Sequence, residues 1–201
     1  ILASIITNIF HSQGVPEGAL QLVLGDGMNG ATLTKSKSLK GVAFTGSTDT
    51  ARKIQSSLLD NHKEIIKFIA ETGGLNCMIV DSSALLEQVT DDVMRSAFNS
   101  AGQRCSALRV LIVQEDIYQE VINMVTGAMK VLDIGPTENF NNDIGPIISE
   151  DAFEKLKNYI EAASIDGKNV IQPHDYIDNK YIPPTIIEIE SLSELESEQF
   201  G

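Results

Sequence analysis

The chain has 201 residues, 42% hydrophobic and 21% charged, with a formal net charge of −13. Its mean hydropathy of −0.01 is that of an ordinary globular chain, long enough for one large domain or two small ones. No stretch dense in Lys and Arg offsets the negative charge, which excludes a nucleic-acid backbone as partner, and no apolar run approaches the roughly 20 residues that cross a bilayer.

Much of the charge is local, because Glu188, Glu190, Glu194, Glu196 and Glu198 crowd one end, and it reads as solubility. Two cysteines make no disulfide framework, and His11, His62 and His174 lack ligand spacing, so no metal is expected. A reducing cytoplasm fits that cysteine usage. The opening ILASIITNIFHS has no basic region or cleavage site and is not read as a signal peptide. The missing initiator Met places the expected true N-terminus upstream.

In chain order, Ile1, Leu2, Ile5, Ile6, Ile9 and Phe10 share one helical face, and Gly14 and Pro16 end that helix. LQLVL (20–24) reads as a short strand closed by Gly25-Asp26-Gly27. GVAFTG (41–46) reads as a buried strand, 47–59 as a helix with hydroxyl and acidic residues in its first turn, and EIIKFIAE (64–71) as a third strand. Glu71-Thr72-Gly73-Gly74 then punctuates the chain. NCMIV (76–80) and RVLIV (109–113) read as strands flanking a helix at about 84–99, and 115–131 as an amphipathic helix. DIGP occurs at 133–136 and 143–146, read as two turns around a polar loop. A helix at 151–163, a weak strand at 169–171 and a strand at 185–190 (TIIEIE) follow. Strands alternating with helices predict α/β architecture with parallel pairing. Gly73-Gly74 is the best domain crossover, giving expected domains 1–72 and 73–201.

Three places have residues suited to chemistry. In FTGST (44–48) a strand ends at Gly46 and a helix begins at Ser47, a geometry that serves an anion or is simply a capped helix. Glu71 ends an apolar strand, where it is either an exposed strand-end carboxylate or a partly desolvated general base. Cys105 sits in a loop beside Arg104, which suits a reactive thiolate as well as an inert packed thiol. Cys77, inside NCMIV, reads as the buried, inert kind. The three places leave these alternatives open when taken singly.

Together, FTGST, AETGG and SAGQRCSA resemble the aldehyde dehydrogenase superfamily, with Cys105 following Glu71 by 34 positions, the family spacing. The closing ESEQFG resembles the family's Glu-x-Phe-Gly-Pro. Within the superfamily, AETGGLNCMIVDSSALLEQV and SAGQRCSALRVL are similar to the L-glutamate γ-semialdehyde dehydrogenase half of bifunctional proline-utilization enzymes. The resemblance implies part of a Rossmann-type parallel-sheet domain that binds NAD, then part of an α/β catalytic domain. It implies Cys105 as nucleophile, Glu71 as general base, and Phe44, Thr45, Gly46, Ser47, Thr72, Gly73, Glu198 and Phe200 as cofactor-binding residues. Arg104 and Ser106 are candidate pocket liners, Arg104 equally a structural ion pair. Ala51 stands where many members carry Gly. The implied reaction takes the semialdehyde to glutamate through a thiohemiacetal and a thioester on Cys105. The implied partners are a small-molecule aldehyde and copies of the full-length protein, with FAD only where a proline dehydrogenase domain lies upstream. The family's oxyanion Asn normally precedes residue 1, so the chain is expected to be a fragment with little activity alone. Another semialdehyde as substrate, or a module that only binds nucleotide or partner, are the rival expectations.

Overall fold

The computed structural model describes residues 1–195 and 197–201 and divides into two compact units, Ile1–Thr72 and Gly73–Gly201. In the first unit, β1 (Gly41–Thr45), α3 (Thr48–Asn61) and β2 (Lys67–Glu71) form a βαβ crossover. The two strands pair in parallel from Gly41 opposite Lys67 to Thr45 opposite Glu71, so both carboxyl ends finish at one edge. Ser47 caps α3, its side chain accepting from the Thr50 N–H, and Ala51 and Leu58 are the residues α3 buries. The helix α2 (Gly27–Thr34) is held to α3 by a Thr34–Ser57 hydroxyl bond of 3.0 Å and by the His62 ring on the Thr34 carbonyl at 2.8 Å.

Two readings of this unit are corrected. Residues 20–24 are not a strand: they pair with no other strand among the described residues, and Leu22, Val23 and Leu24 are exposed. Asp26-Gly27, taken as a turn, instead starts α2, because the Asp26 carboxylate accepts from the Met28 N–H at 2.9 Å. The expected helix of the first residues is present as α1 (Leu2–Ser12), with every apolar residue of its stripe outside the core.

In the second unit β3 (Cys77–Val80) and β4 (Val110–Val113) pair in parallel around α4 (Leu86–Val93). Val80, Val93, Leu108 and, from α5 (Tyr118–Met129), Val121, Val125 and Met129 make one core cluster. Ala101, Ile144, Ile147 and, from α6 (Glu150–Ile165), Phe153 and Leu156 make a second. The DIGP pair does more than turn: Ile134 and Ile144 form a parallel bridge that pins the loop between them. The last strands, β5 (Val170–Ile171) and β6 (Ile186–Ile187), are short and antiparallel.

The helix expected to about residue 99 is also corrected. Regular α-geometry stops at Val93, a π-turn runs over Met94–Phe98, and Ser100, Ala101 and Gly102 then take φ of +59°, +51° and +67°. Three successive left-handed residues reverse the chain, and such strain persists only where surrounding contacts fix it. Cys105 lies just beyond that reversal.

Candidate active site

The turn bearing Cys105 is anchored by its neighbours while the cysteine stays open. Gln103 donates from Nε2 to the carbonyls of Ser100 (3.2 Å) and Pro146 (3.1 Å), and its Oε1 accepts from the Ile148 N–H at 2.8 Å. Arg104 Nη2 donates to the carbonyls of Arg95 (2.7 Å) and Ser96 (3.0 Å), while its buried Nε has no partner. Asn76, just before β3, donates from Nδ2 to the Cys105 and Ala107 carbonyls at 2.8 and 2.9 Å. Ala107 and Leu108 are buried, whereas Cys105 and Ser106 are exposed. The Cys105 N–H has no main-chain acceptor among the described residues. A thiol on a fixed backbone with a free N–H beside it can attack an electrophile and offer a donor to the oxygen that becomes charged.

Around this turn the second unit gathers Gly73, Glu198 and Phe200. Arg109, at the start of β4, reaches Glu198 Oε1 from both Nε and Nη2 at 3.3 Å, and its guanidinium carbon lies 5.4 Å from the Phe200 ring centre. The Glu198 carboxylate occupies the space a side chain would take at Gly73, where a Cβ would come within 1.9 Å of Oε2. Only glycine leaves room for it.

In the first unit, Gly46 and Glu71 meet at the carboxyl edge of the parallel strands, the Gly46 N–H donating to the Glu71 carbonyl at 3.1 Å. In open α/β sheets this edge is where ligands bind. The half-buried Phe44 ring turns back under Gly46, so a Cβ there would fall 2.5 Å from Phe44 Cζ. Ser47 Oγ is engaged with Thr50, and Thr45 is exposed. Thr72 is half-buried.

One expectation changes and two open alternatives are narrowed. Glu71 is exposed, the strand-end carboxylate of its two readings. Cys77 is exposed rather than packed, because its position at the mouth of a two-stranded sheet leaves its face uncovered. Arg104 makes no ion pair among the described residues and spends its donors on main-chain carbonyls of the π-turn. Asn76, Gln103 and Arg109 were not singled out as working residues. Gln103 stands inside the quoted Gly-Gln-x-Cys stretch, and a lone polar Asn between Gly-Gly and an apolar strand was the available sign for Asn76. No group of three or more His, Cys, Asp or Glu suited to a metal occurs among the described residues, and no described helix is long and apolar enough to cross a membrane.

The family model for the aldehyde dehydrogenase family matches residues 1–201. The bifunctional protein PutA of Klebsiella aerogenes is 44% identical over 205 residues, covering 96% of this chain and 16% of that protein. A 1-pyrroline-5-carboxylate dehydrogenase of Staphylococcus saprophyticus is 35% identical over 167 residues, covering 81% of this chain and 32% of that one. A crystal structure of bifunctional proline utilization A superposes with a TM-score of 0.96 at 42% identity, covering all of this chain and 20% of the solved one. The chain therefore spans about one sixth of the length of the bifunctional relatives it matches. With the whole of its length matched, and the α/β fold shared with solved aldehyde dehydrogenases, this chain belongs to the aldehyde dehydrogenase family.

Proposed function

We propose that the complete protein to which this chain contributes oxidises L-glutamate γ-semialdehyde to glutamate with NAD+, and that Cys105 is its nucleophile. The observation that carries this reading is the exposed Cys105 thiol on a turn whose flanks are anchored by Asn76, Gln103 and Arg104. The substrate follows from the relatives named for pyrroline-5-carboxylate, the cyclic form of that semialdehyde. On this reading 1–72 is the later part of the nucleotide-binding domain and 73–201 part of the catalytic domain.

The Cys105 thiolate adds to the aldehyde carbon, and the Cys105 N–H meets the resulting oxyanion. Loss of hydride leaves a thioester on Sγ, and Glu71 takes a proton from the water that hydrolyses it, releasing glutamate and the thiol. The residues fit the cofactor: Gly46 and Ser47 at the N-terminus of α3 suit its pyrophosphate, with Phe44, Thr45 and Thr72 flanking. The Glu198 carboxylate, seated over Gly73, would accept from its ribose hydroxyls, and Phe200 would border its nicotinamide. NAD+, when bound, supplies the hydride acceptor. Arg104 and Ser106 would border the aldehyde pocket. FAD would belong to a separate proline-oxidising domain of the longer protein, which we read as a cytoplasmic homo-oligomer. The 201-residue piece alone is expected to turn over little, since it spans only 16% of such a relative.

The test is cofactor reduction by the full-length protein over a panel of semialdehydes. Glutamate semialdehyde is expected to give the highest kcat/KM, with Cys105→Ala inactive and Glu71→Gln slowed by roughly 10²–10⁴-fold. Near-normal turnover by Cys105→Ala, or alkylation of Cys105 no faster than of Cys77, would sink the assignment. A preference for succinate semialdehyde would move it to a sister activity.

A further inference from the structure

We propose that Arg109 is a positioning residue, which ties the turn bearing Cys105 to the Glu198 carboxylate and leaves one oxygen of that carboxylate ready for the cofactor's ribose. The inference rests on the reading above that Glu198 meets the cofactor.

The Arg109 side chain is only 8% exposed and that of Glu198 19%, so the guanidinium depends on its partners to offset its desolvation. Each of its contacts has a distinct direction. Nε and Nη2 converge on Glu198 Oε1, both at 3.3 Å, instead of forking onto the two oxygens. Nη2 also donates to the Arg104 carbonyl at 3.2 Å, one residue before Cys105. Nη1 packs beside the left-handed Gly102, 3.2 Å from where a Cβ would stand, behind the nearer Gly201 carbonyl carbon (2.8 Å) and Ala97 carbonyl oxygen (3.0 Å). The guanidinium carbon is 5.4 Å from the Phe200 ring centre, a cation–π distance.

The consequence is an asymmetric carboxylate. Oε1 is committed to Arg109, whereas Oε2 accepts no hydrogen bond among the described residues and occupies the bare space above Gly73. Oε2 is thus the acceptor left for a ligand hydroxyl. Phe200, two residues on, is held by the same guanidinium, so one side chain sets both the acceptor and the ring. Lysine at this position would keep the charge but lose the two convergent donors and the guanidinium over the Phe200 ring.

The experiment uses the full-length enzyme and measures KM for NAD+ and for the aldehyde, with the NAD+ dissociation constant from calorimetry. Arg109→Gln is expected to raise KM and Kd for NAD+ roughly tenfold, the effect of losing a charge-assisted hydrogen bond, while KM for the aldehyde stays within about twofold. Arg109→Lys should recover part of the loss, which also covers the case in which the glutamine variant fails to fold. Glu198→Gln should raise the same constant, and the double variant should be no worse than Glu198→Gln alone, since Arg109 acts through that carboxylate. If Glu198→Gln weakens NAD+ binding but Arg109→Lys and Arg109→Gln do not, or if the two losses multiply, the role of Arg109 is refuted while the parent reading stands. A wild-type enzyme that reduces no NAD+ with any aldehyde overturns both.

Discussion

Replacing Asn76 by Ala removes one side-chain nitrogen that donates to two carbonyls, those of Cys105 at 2.8 Å and Ala107 at 2.9 Å. The two losses differ. Ala107 is wholly buried, so its carbonyl would be left without water or partner, which costs about 1–3 kcal/mol. Cys105 is exposed, and water can replace the lost donor there at a cost of about 0–1 kcal/mol. The expected loss is therefore about 1–4 kcal/mol, confined to the unit of residues 73–201. Guanidinium unfolding monitors it as a lower midpoint at unchanged slope. Asn76→Asp keeps the shape but sets a carboxylate against two carbonyl oxygens, so it should cost more than alanine. A midpoint for Asn76→Ala within about 0.5 kcal/mol of the parent, the ordinary scatter of surface substitutions, would refute the claim that Asn76 holds this turn, as would an aspartate tolerated better than alanine.

Two further outcomes follow from the same unit. Phe153→Ala, at a ring 1% exposed that meets Tyr176 edge-on at 6.1 Å between centroids, should destabilise by about 3–5 kcal/mol, and a loss under about 1 kcal/mol would mean the cluster around Ile144 and Leu156 closes over the gap. Burial and then the Glu188 carboxylate, which accepts the phenol O–H and repels a phenolate, push Tyr118 from 10.0 up to about 12. Because the folded value is raised, the stabilisation is complete below pH 10 and disappears as pH climbs through about 12. In ultraviolet titration one of the four tyrosines should ionise late, Tyr118→Phe should delete that step, and simultaneous ionisation of all four would refute the pairing.

What was legible in the sequence was local or periodic. The apolar spacing of α1 and α5, the first-turn hydroxyl and acidic residues of α3 and the apolar runs of β1, β3 and β4 were readable because such signals are written in consecutive residues. The family was readable from motifs whose order and spacing stand in the chain itself, and the match over residues 1–201 bears that out. Residues 20–24 misled because an apolar run marks a strand only when another strand is there to pair with it. Cys77 misled for a related reason: a thiol in an apolar strand is buried only if something packs on its face.

By itself the sequence determined the family, the α/β alternation and the candidacy of Cys105 beside its Gly-Gln. Tertiary structure alone decided that the cysteine turn runs through three left-handed residues, that Arg104 spends its charge on main-chain carbonyls, and that Arg109 takes hold of a carboxylate 89 residues away. A repeat along one helix or strand is set by bond geometry, and a motif is written in residue order. A contact between distant residues exists only after strands and turns have brought their backbones together, and which buried charge finds which partner is settled there.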